Sequence, residues 1–318
     1  MIRNTLKRRA FLRAGLTGSA ALAAGVAVPA RAFAAAQREA ILRPIPSSGE
    51  LLPVIGLGTN AYGVDTEGAK APLREVLRTM PGLGGSVVDT AEVYGTSEEV
   101  IGELVAEIGN RDELFIATKT PIRGEIPDVQ AAIDDCFAKL QVQTMDLLQV
   151  HNLHEIDRQI PYFLRMRESG RVRYIGASTS SAQQYTDFIA AMRRHPLDFI
   201  QVNYSIDDRA SAEKILPLAE ELGMAVLINM PFGGRRGAAS TFSRVANRPL
   251  PDWAGDIDAE SWAQVFLKYV VSHPAVTAAI PGTTSASHLH DNQAAGHGRL
   301  PDPALRREIE HYWDTLEA

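Results

Sequence analysis

Eight short apolar runs punctuate the chain: Val54–Gly58, Ser86–Asp89, Leu114–Thr118, Asp146–Val150, Tyr174–Ala177, Phe199–Val202, Ala225–Ile228 and Thr277–Ile280. They are continuous rather than alternating, as strands covered on both faces should be. Amphipathic stretches separate them. Glu98–Ile108 puts Val100, Ile101, Leu104, Val105 and Ile108 on one stripe. Val129–Leu140 does the same with Ile133, Phe137 and Leu140, and Ala212–Leu222 with Ile215, Leu218 and Leu222. That spacing predicts helices, with Ser97, Asp128 and Ser211 as their N-caps. Most units recur at about 30 residues, the length of a βα repeat. Eight of them in a row favour an α/β fold of one closed (β/α)8 TIM barrel over a doubly wound sheet.

Three segments lie outside the repeat. Leu42–Pro46 and Leu51–Pro53 flank Ser47-Ser48-Gly49-Glu50 and read as a hairpin before the barrel. Gly233–Asp258, rich in Gly, Arg and Pro, reads as a long loop over the top face after the seventh strand. Pro303–Leu316 reads as an extra C-terminal helix. No Gly-x-Gly-x-x-Gly opens a helix, and Gly56-Leu57-Gly58 reads as a close-packed strand end.

Residues 1–34 have another character. Lys7-Arg8-Arg9-Ala10-Phe11-Leu12-Arg13 is followed by a weakly apolar run, Ala14–Val28, and by small residues around Arg31. This resembles a bacterial twin-arginine signal, which hands a folded protein to its export machinery and is then removed. The run is too weak to span a bilayer, so no stable membrane anchoring is expected after cleavage. The expectation is a barrel of residues 35–318 in the periplasm or outside the cell. The segment carries six positive charges and no acid, so its loss takes the net charge from −6 to −12. With no basic stripe in the body of the chain, a nucleic-acid partner is not expected. Cys136, the single cysteine, sits in a helical pattern beside Asp134 and Asp135, a poor setting for a nucleophilic thiolate.

Four residues at or just after strand ends carry the candidate chemistry: Asp89 and Tyr94 in VVDTAEVYG, Lys119 in LFIATK and His151 in DLLQVH. A parallel barrel gathers the carboxyl ends of its strands on one face. There a phenol holds its proton at neutral pH, and an ammonium beside it makes it a better acid. Asp89 would supply the anion a buried Lys119 needs, and His151 would orient a carbonyl oxygen. The hydride must come from a cofactor, since no side chain supplies one. Each residue alone also has an ordinary reading as cap, packing or solvated end.

The segments GLGTN, DTAEVYG, ATKT, DLLQVHN, YIGAS, QVNYS, MPFGG and IPGTTSASHLHDN, in this order from Gly56 to Asn292, resemble the aldo-keto reductase family. The resemblance implies a barrel enzyme that reduces a small carbonyl substrate, with NADP(H) bound extended across the top. It implies a tetrad of Asp89, Tyr94, Lys119 and His151, with Tyr94 as proton donor. It assigns Gly58, Thr59, Ser178, Thr179 and Gln201 to the nucleotide, the last three at the nicotinamide amide. Asn229, Phe232 and Gly233 would face the ring and pyrophosphate. Thr283, Ser285, His288, Asp291 and Asn292 would hold the adenosine end.

This chain departs from the family pattern in several places. Thr179 stands where Asn is frequent, and Asn229 where an aromatic ring stacks on the nicotinamide. Gly282 and His288 stand where a Lys and an Arg grip the 2′-phosphate, which leaves NAD(H) as an alternative cofactor. Arg235 and Arg236 read either as a substitute phosphate grip or as a solvated pair. His288-x-His290, with His297 and His154, invites a metal reading, but residues two apart on a helix face apart. Trp253 and Trp262 read as pocket walls or as packing. The rival functions are a non-catalytic nucleotide-binding redox sensor and a metal-dependent barrel hydrolase.

Overall fold

The computed structural model of the chain describes residues 39–316 apart from 235–240. Residues 1–34, expected to be an export signal, and the pair Arg235–Arg236 lie outside the described residues. β1 (Leu42–Pro44) and β2 (Leu51–Pro53) pair antiparallel as the expected hairpin. The barrel strands are β3 (Leu57–Gly58), β4 (Val87–Asp89), β5 (Phe115–Lys119), β6 (Met145–Val150), β7 (Val172–Ser178), β8 (Phe199–Asn203), β9 (Ala225–Asn229) and β10 (Ala278–Ala279). They form one sheet in chain order. Gly56 N donates to Ala279 O at 2.8 Å, Ala279 N to Val54 O at 2.9 Å and Gly58 N to Pro281 O at 3.1 Å, which closes the ring.

Helices wrap the outside: α1 (Glu67–Thr79), α2 (Ser97–Ile108), α3 (Val129–Leu140), α4 (Ile156–Glu168), α5 (Tyr185–Arg194), α6 (Ser211–Glu221), α7 (Thr241–Val245), α8 (Trp262–Val271), α9 (Ala286–Ala294) and α10 (Pro303–Thr315). The predicted stripes are the buried faces of α2 and α3, except that Ile108 is only half-buried. Leu222 is an exception: α6 ends at Glu221, and Leu222 is exposed. Asp128 caps α3 by accepting from Ala131 N at 3.0 Å. Ser97 and Ser211 do not cap. Each is the first residue inside its helix and buried, and its hydroxyl serves a neighbouring strand end instead: Ser97 Oγ donates to Thr59 O, Ser211 Oγ to Asn203 O. The segment after β9 is not all loop, since it contains α7 and a 3-10 turn at Asp252–Ile257.

Inside the barrel, side chains two apart on each strand share a row. The lower rows are apolar. Val87, Phe115, Ala117, Leu147, Tyr174, Phe199, Ala225, Leu227, Ala278 and Ile280 form one buried cluster with Ile45 and Leu52 of the hairpin. The hairpin therefore plugs the bottom. Glu50 accepts from the Tyr174 hydroxyl at 2.6 Å and pairs with Arg173, which pins the plug to β7. Continuing upward, the same rows turn polar: Val87 leads to Asp89, Ala117 to Lys119, Leu147 to Gln149 and His151, and Phe199 to Gln201. The polar set thus sits at the carboxyl ends, where barrel enzymes build their sites.

Candidate active site

Asp89 ends β4, Lys119 ends β5, and His151 follows β6 directly. Tyr94 lies in a 3-10 turn, Glu92–Tyr94, just after β4. The loop after β3 presses on that turn: a Cβ on Gly63 would sit 2.5 Å from Tyr94 O, so only glycine fits. Lys119 Nζ donates to Asp89 Oδ2 at 2.6 Å and to Thr90 O at 2.8 Å. Both side chains are almost fully buried. The same Nζ is 5.7 Å from the centre of the Tyr94 ring. The Tyr94 and His151 rings meet edge to face, 6.3 Å apart at 88°. The structure brings all four residues together.

Burial is the largest influence on three of them. It pushes the Asp89 carboxyl up, against the pull of Lys119 and of the Gln201 and Gln149 amides. It also pushes the Tyr94 phenol up; Lys119 pulls it back and Asp89 adds to the rise. Tyr94 therefore keeps its proton, the form a proton donor needs. Burial, reinforced by the Lys119 charge, lowers the His151 imidazole to about 3, so it is neutral at ordinary pH. Its Nδ1 is buried without a partner. A neutral imidazole suits hydrogen bonding to a carbonyl oxygen and not proton donation from an imidazolium.

Ser178, Thr179, Gln201 and Asn229 lie on or directly after β7, β8 and β9, on the same face. Asn229 Nδ2 donates to Thr179 O at 3.3 Å, while its Oδ1 is buried and unpartnered. An orphan acceptor beside a row of polar strand ends fits a ligand carrying amide N–H groups, as a nicotinamide does. Phe232 is half-buried and packs on Phe242 at 5.0 Å. Gly233 adopts φ +64°. Thr59 is turned to the scaffold instead, with its Oγ1 donating to Asp89 O at 2.9 Å. An added Cβ on Gly58 would come 2.8 Å from Ile280 O, so that position is close-packed against the last strand.

At the adenosine end, Thr283 O accepts from Tyr62, and Thr283 Oγ1 accepts from Ser285 N at 3.1 Å. Ser285 precedes α9 without capping it, so the first-turn N–H groups have no side-chain cap. His288 is exposed on α9, and Asn292 is buried on the same helix. Asp291 is turned to the scaffold: it accepts from Ser261 Oγ at 2.9 Å and Gln264 Nε2 at 2.7 Å. His154 and His297 bond the carbonyls of Gly124 and Leu83. Trp262 donates to Arg248 O and stacks on Phe266 and Tyr312, so it serves packing on the outer wall. Burial pushes the Cys136 thiol well up, which leaves it inert.

Several residues emerge only from the structure. Gln149 is fully buried in β6 and donates to Gln201 Oε1 at 2.9 Å. Gln184 accepts from Thr179 Oγ1 at 2.6 Å and donates to Asn152 O at 3.0 Å. Asn152 follows His151 in the left-handed region, φ 49°, which Asn tolerates. Its N–H donates to Ser178 Oγ and its Oδ1 accepts from Ser180 N. The turn carrying His151 is thereby tied to β7. One signal was available for Gln149, a polar residue inside an apolar run.

This is a polar, partly desolvated mouth on a plugged (β/α)8 barrel, with a buried ammonium–carboxylate pair under a phenol. The chain belongs to the aldo/keto reductase family, whose profile matches residues 54–310. Aldo-keto reductase YhdN of Bacillus subtilis is 30% identical over 190 residues, a match spanning 55% of this chain and 56% of that protein. The uncharacterized oxidoreductase YqkF of the same organism is 24% identical over 293 residues, 81% of this chain and 92% of the other. Among solved structures, an aldo/keto reductase from Klebsiella pneumoniae in complex with NADP and acetate has TM-score 0.67 at 23% identity, over 85% of this chain and 94% of that one. The holo form of an aldo-keto reductase from Bacillus halodurans has TM-score 0.68 at 24% identity, over 86% and 96%.

Proposed function

We propose that the chain reduces an aldehyde or ketone to the alcohol with NADP(H), using Tyr94 as proton donor. The observation that carries this reading is the buried Lys119–Asp89 pair, 2.6 Å apart, with the ammonium 5.7 Å from the Tyr94 ring. Ser178, Thr179, Gln201 and Asn229 would hold the nicotinamide, which would supply the hydride for the carbonyl carbon. Tyr94 gives its proton to the carbonyl oxygen, and Lys119 stabilises the phenolate left behind. Asp89 compensates the buried ammonium. Neutral His151 hydrogen-bonds the same oxygen and orients it.

Nucleotide binding is supported by family membership and by the unpartnered Asn229 Oδ1 on the proposed nicotinamide side. The contribution of His288 at the adenosine end leaves room for NAD(H). Export in the folded state by the twin-arginine route, with delivery to the periplasm or beyond, is part of the proposal and rests on KRRAFLR and the weakly apolar run after it. Tyr94→Phe tests the assignment: carbonyl reduction should fall by about 10²–10⁴ while NADPH binding persists. Near-normal turnover of several aldehydes by the purified variant would sink it.

A further inference from the structure

We propose that Gln149 is a positioning residue that holds the Gln201 amide in the sense set by Asp89, making the nicotinamide-holding position and the tetrad one hydrogen-bonded unit. The inference rests on the proposed roles of Gln201 and Asp89. Gln149 lies one inward row below His151 on β6, beside Lys119 in the ladder with β5 and beside Gly176 in the ladder with β7. Its Nε2 donates to Gln201 Oε1 at 2.9 Å and reaches Asp89 Oδ1 at 3.4 Å. Gln201 Nε2 in turn donates to Asp89 Oδ2 at 3.3 Å, the oxygen that also takes Lys119. Three side chains from three strands thus close a ring.

The chemistry of the ring decides its orientation. An ionised carboxylate accepts and cannot donate, so both amides must turn their NH₂ groups to Asp89. Once Gln201 does so, its oxygen faces Gln149, and only the Gln149 NH₂ can meet it. Flipping either amide sets oxygen against oxygen. Gln149 Oε1 is then left buried and unpartnered, as observed. The fold also reserves the space. A Cβ on Gly176 would lie 3.2 Å from Gln149 Cγ and 2.8 Å from Phe199 O, so the glycine of YIGAS leaves the room that Gln149 fills.

Gln201 uses one N–H and one lone pair inside the ring and keeps a second of each for a ligand amide. Which of these it presents at the mouth is set by the ring. Removing Gln149 takes away the donor to Gln201 Oε1 and leaves the Gln201 amide held only by its 3.3 Å bond to Asp89, so its position loosens and the cost falls on the nicotinamide end. A residue that merely filled the core would change both ends of the nucleotide site, or stability, or nothing.

The test measures dissociation constants for NADPH and for 2′-phospho-ADP-ribose, which has the adenosine end but no nicotinamide. The variants, made in the full chain, are Gln149→Leu, Gln149→Met, Gln201→Leu and the Gln149→Leu/Gln201→Leu double. Gln149→Leu should weaken NADPH about tenfold and leave 2′-phospho-ADP-ribose within about twofold. The double variant should be no weaker than Gln201→Leu alone, because one residue acts through the other. Gln149→Met gives a second donor-free side chain should the Leu variant fold poorly. Unchanged NADPH affinity in the Gln149 variants, equal losses for both ligands, or losses that add in the double would each overturn the inference. If Gln201→Leu itself leaves NADPH binding intact, the underlying assignment of Gln201 fails first.

Discussion

The guanidinium of Arg244 lies 4.1 Å from the centre of the Trp313 ring, and its Nη2 donates to the carbonyls of Trp313 and Leu316. Arg244 belongs to α7, in the segment after β9 that also holds Phe232; Thr241, at the start of α7, donates to Phe232 O. One side chain therefore fastens this segment to the end of α10. Arg244→Ala should lower stability by about 2 kcal/mol, the sum of a stacked cation and hydrogen bonds from a charged donor. Arg244→Lys should recover less than half, because an ammonium lacks the planar fork. Denaturant unfolding of the three proteins checks both values.

Cofactor choice should respond to position 288. His288 is exposed on α9, and Gly282 is crowded, since a Cβ there would come 3.2 Å from Asn60 Oδ1. A lysine at 282 needs Asn60 to give slightly, whereas position 288 is exposed on its helix. His288→Arg should raise the preference for NADP(H) over NAD(H) about 10-fold or more, the worth of a charge-assisted phosphate contact. Parallel titrations with both nucleotides decide it. An unchanged ratio would move the 2′-phosphate grip elsewhere, with Arg235 and Arg236 the next variants to make.

Acid should weaken the fold through His151. Its imidazole is lowered to about 3 by burial and by Lys119, against about 6.5 in an unfolded chain. Between those values the unfolded state binds the proton and the folded state does not. The stability associated with a neutral His151 is therefore whole above about pH 6.5 and is lost as pH falls toward 3, at no more than about 1.4 kcal/mol per pH unit. His273, lowered to about 4 mainly by burial, adds in the same direction. Unfolding free energies from pH 7 to 4.5 should fall less steeply in His273→Gln than in the wild type.

Arg8→Lys combined with Arg9→Lys should stop export and leave the precursor in the cytoplasm. Fractionation followed by immunoblotting reads this directly. Unchanged appearance of a shortened form outside the inner membrane would refute the twin-arginine reading.

Much of the site was legible because Asp89, Lys119 and His151 end or follow apolar runs with abrupt polarity. Tyr94 was legible only through its motif, since a lone tyrosine in a turn carries no pattern. Gln149 is hard to single out because DLLQV has the look of one continuous apolar strand. The inward row alternates, and it turns polar only in its upper half. Residue preference alone makes Ser97 and Ser211 caps. Their burial against neighbouring strand ends gave the hydroxyls better-placed acceptors, a tertiary effect invisible in local sequence. α7 spans five residues, too few for a helical period to show in the segment after β9.

The hairpin plug has a consequence for how protons are supplied. Phe115, Tyr174, Phe199 and the hairpin's Ile45 and Leu52 form a buried apolar layer beneath Asp89 and Lys119. Of the four proposed catalytic residues, only Tyr94 is more than slightly open to solvent. On the proposed reading, nucleotide and substrate over the mouth would close off the supply of exchangeable hydrogens, and the one on Tyr94 would be used in each reduction. Restocking would then have to wait until the mouth clears. The barrel would act as a single-shot vessel, recharged from the same side through which product would leave.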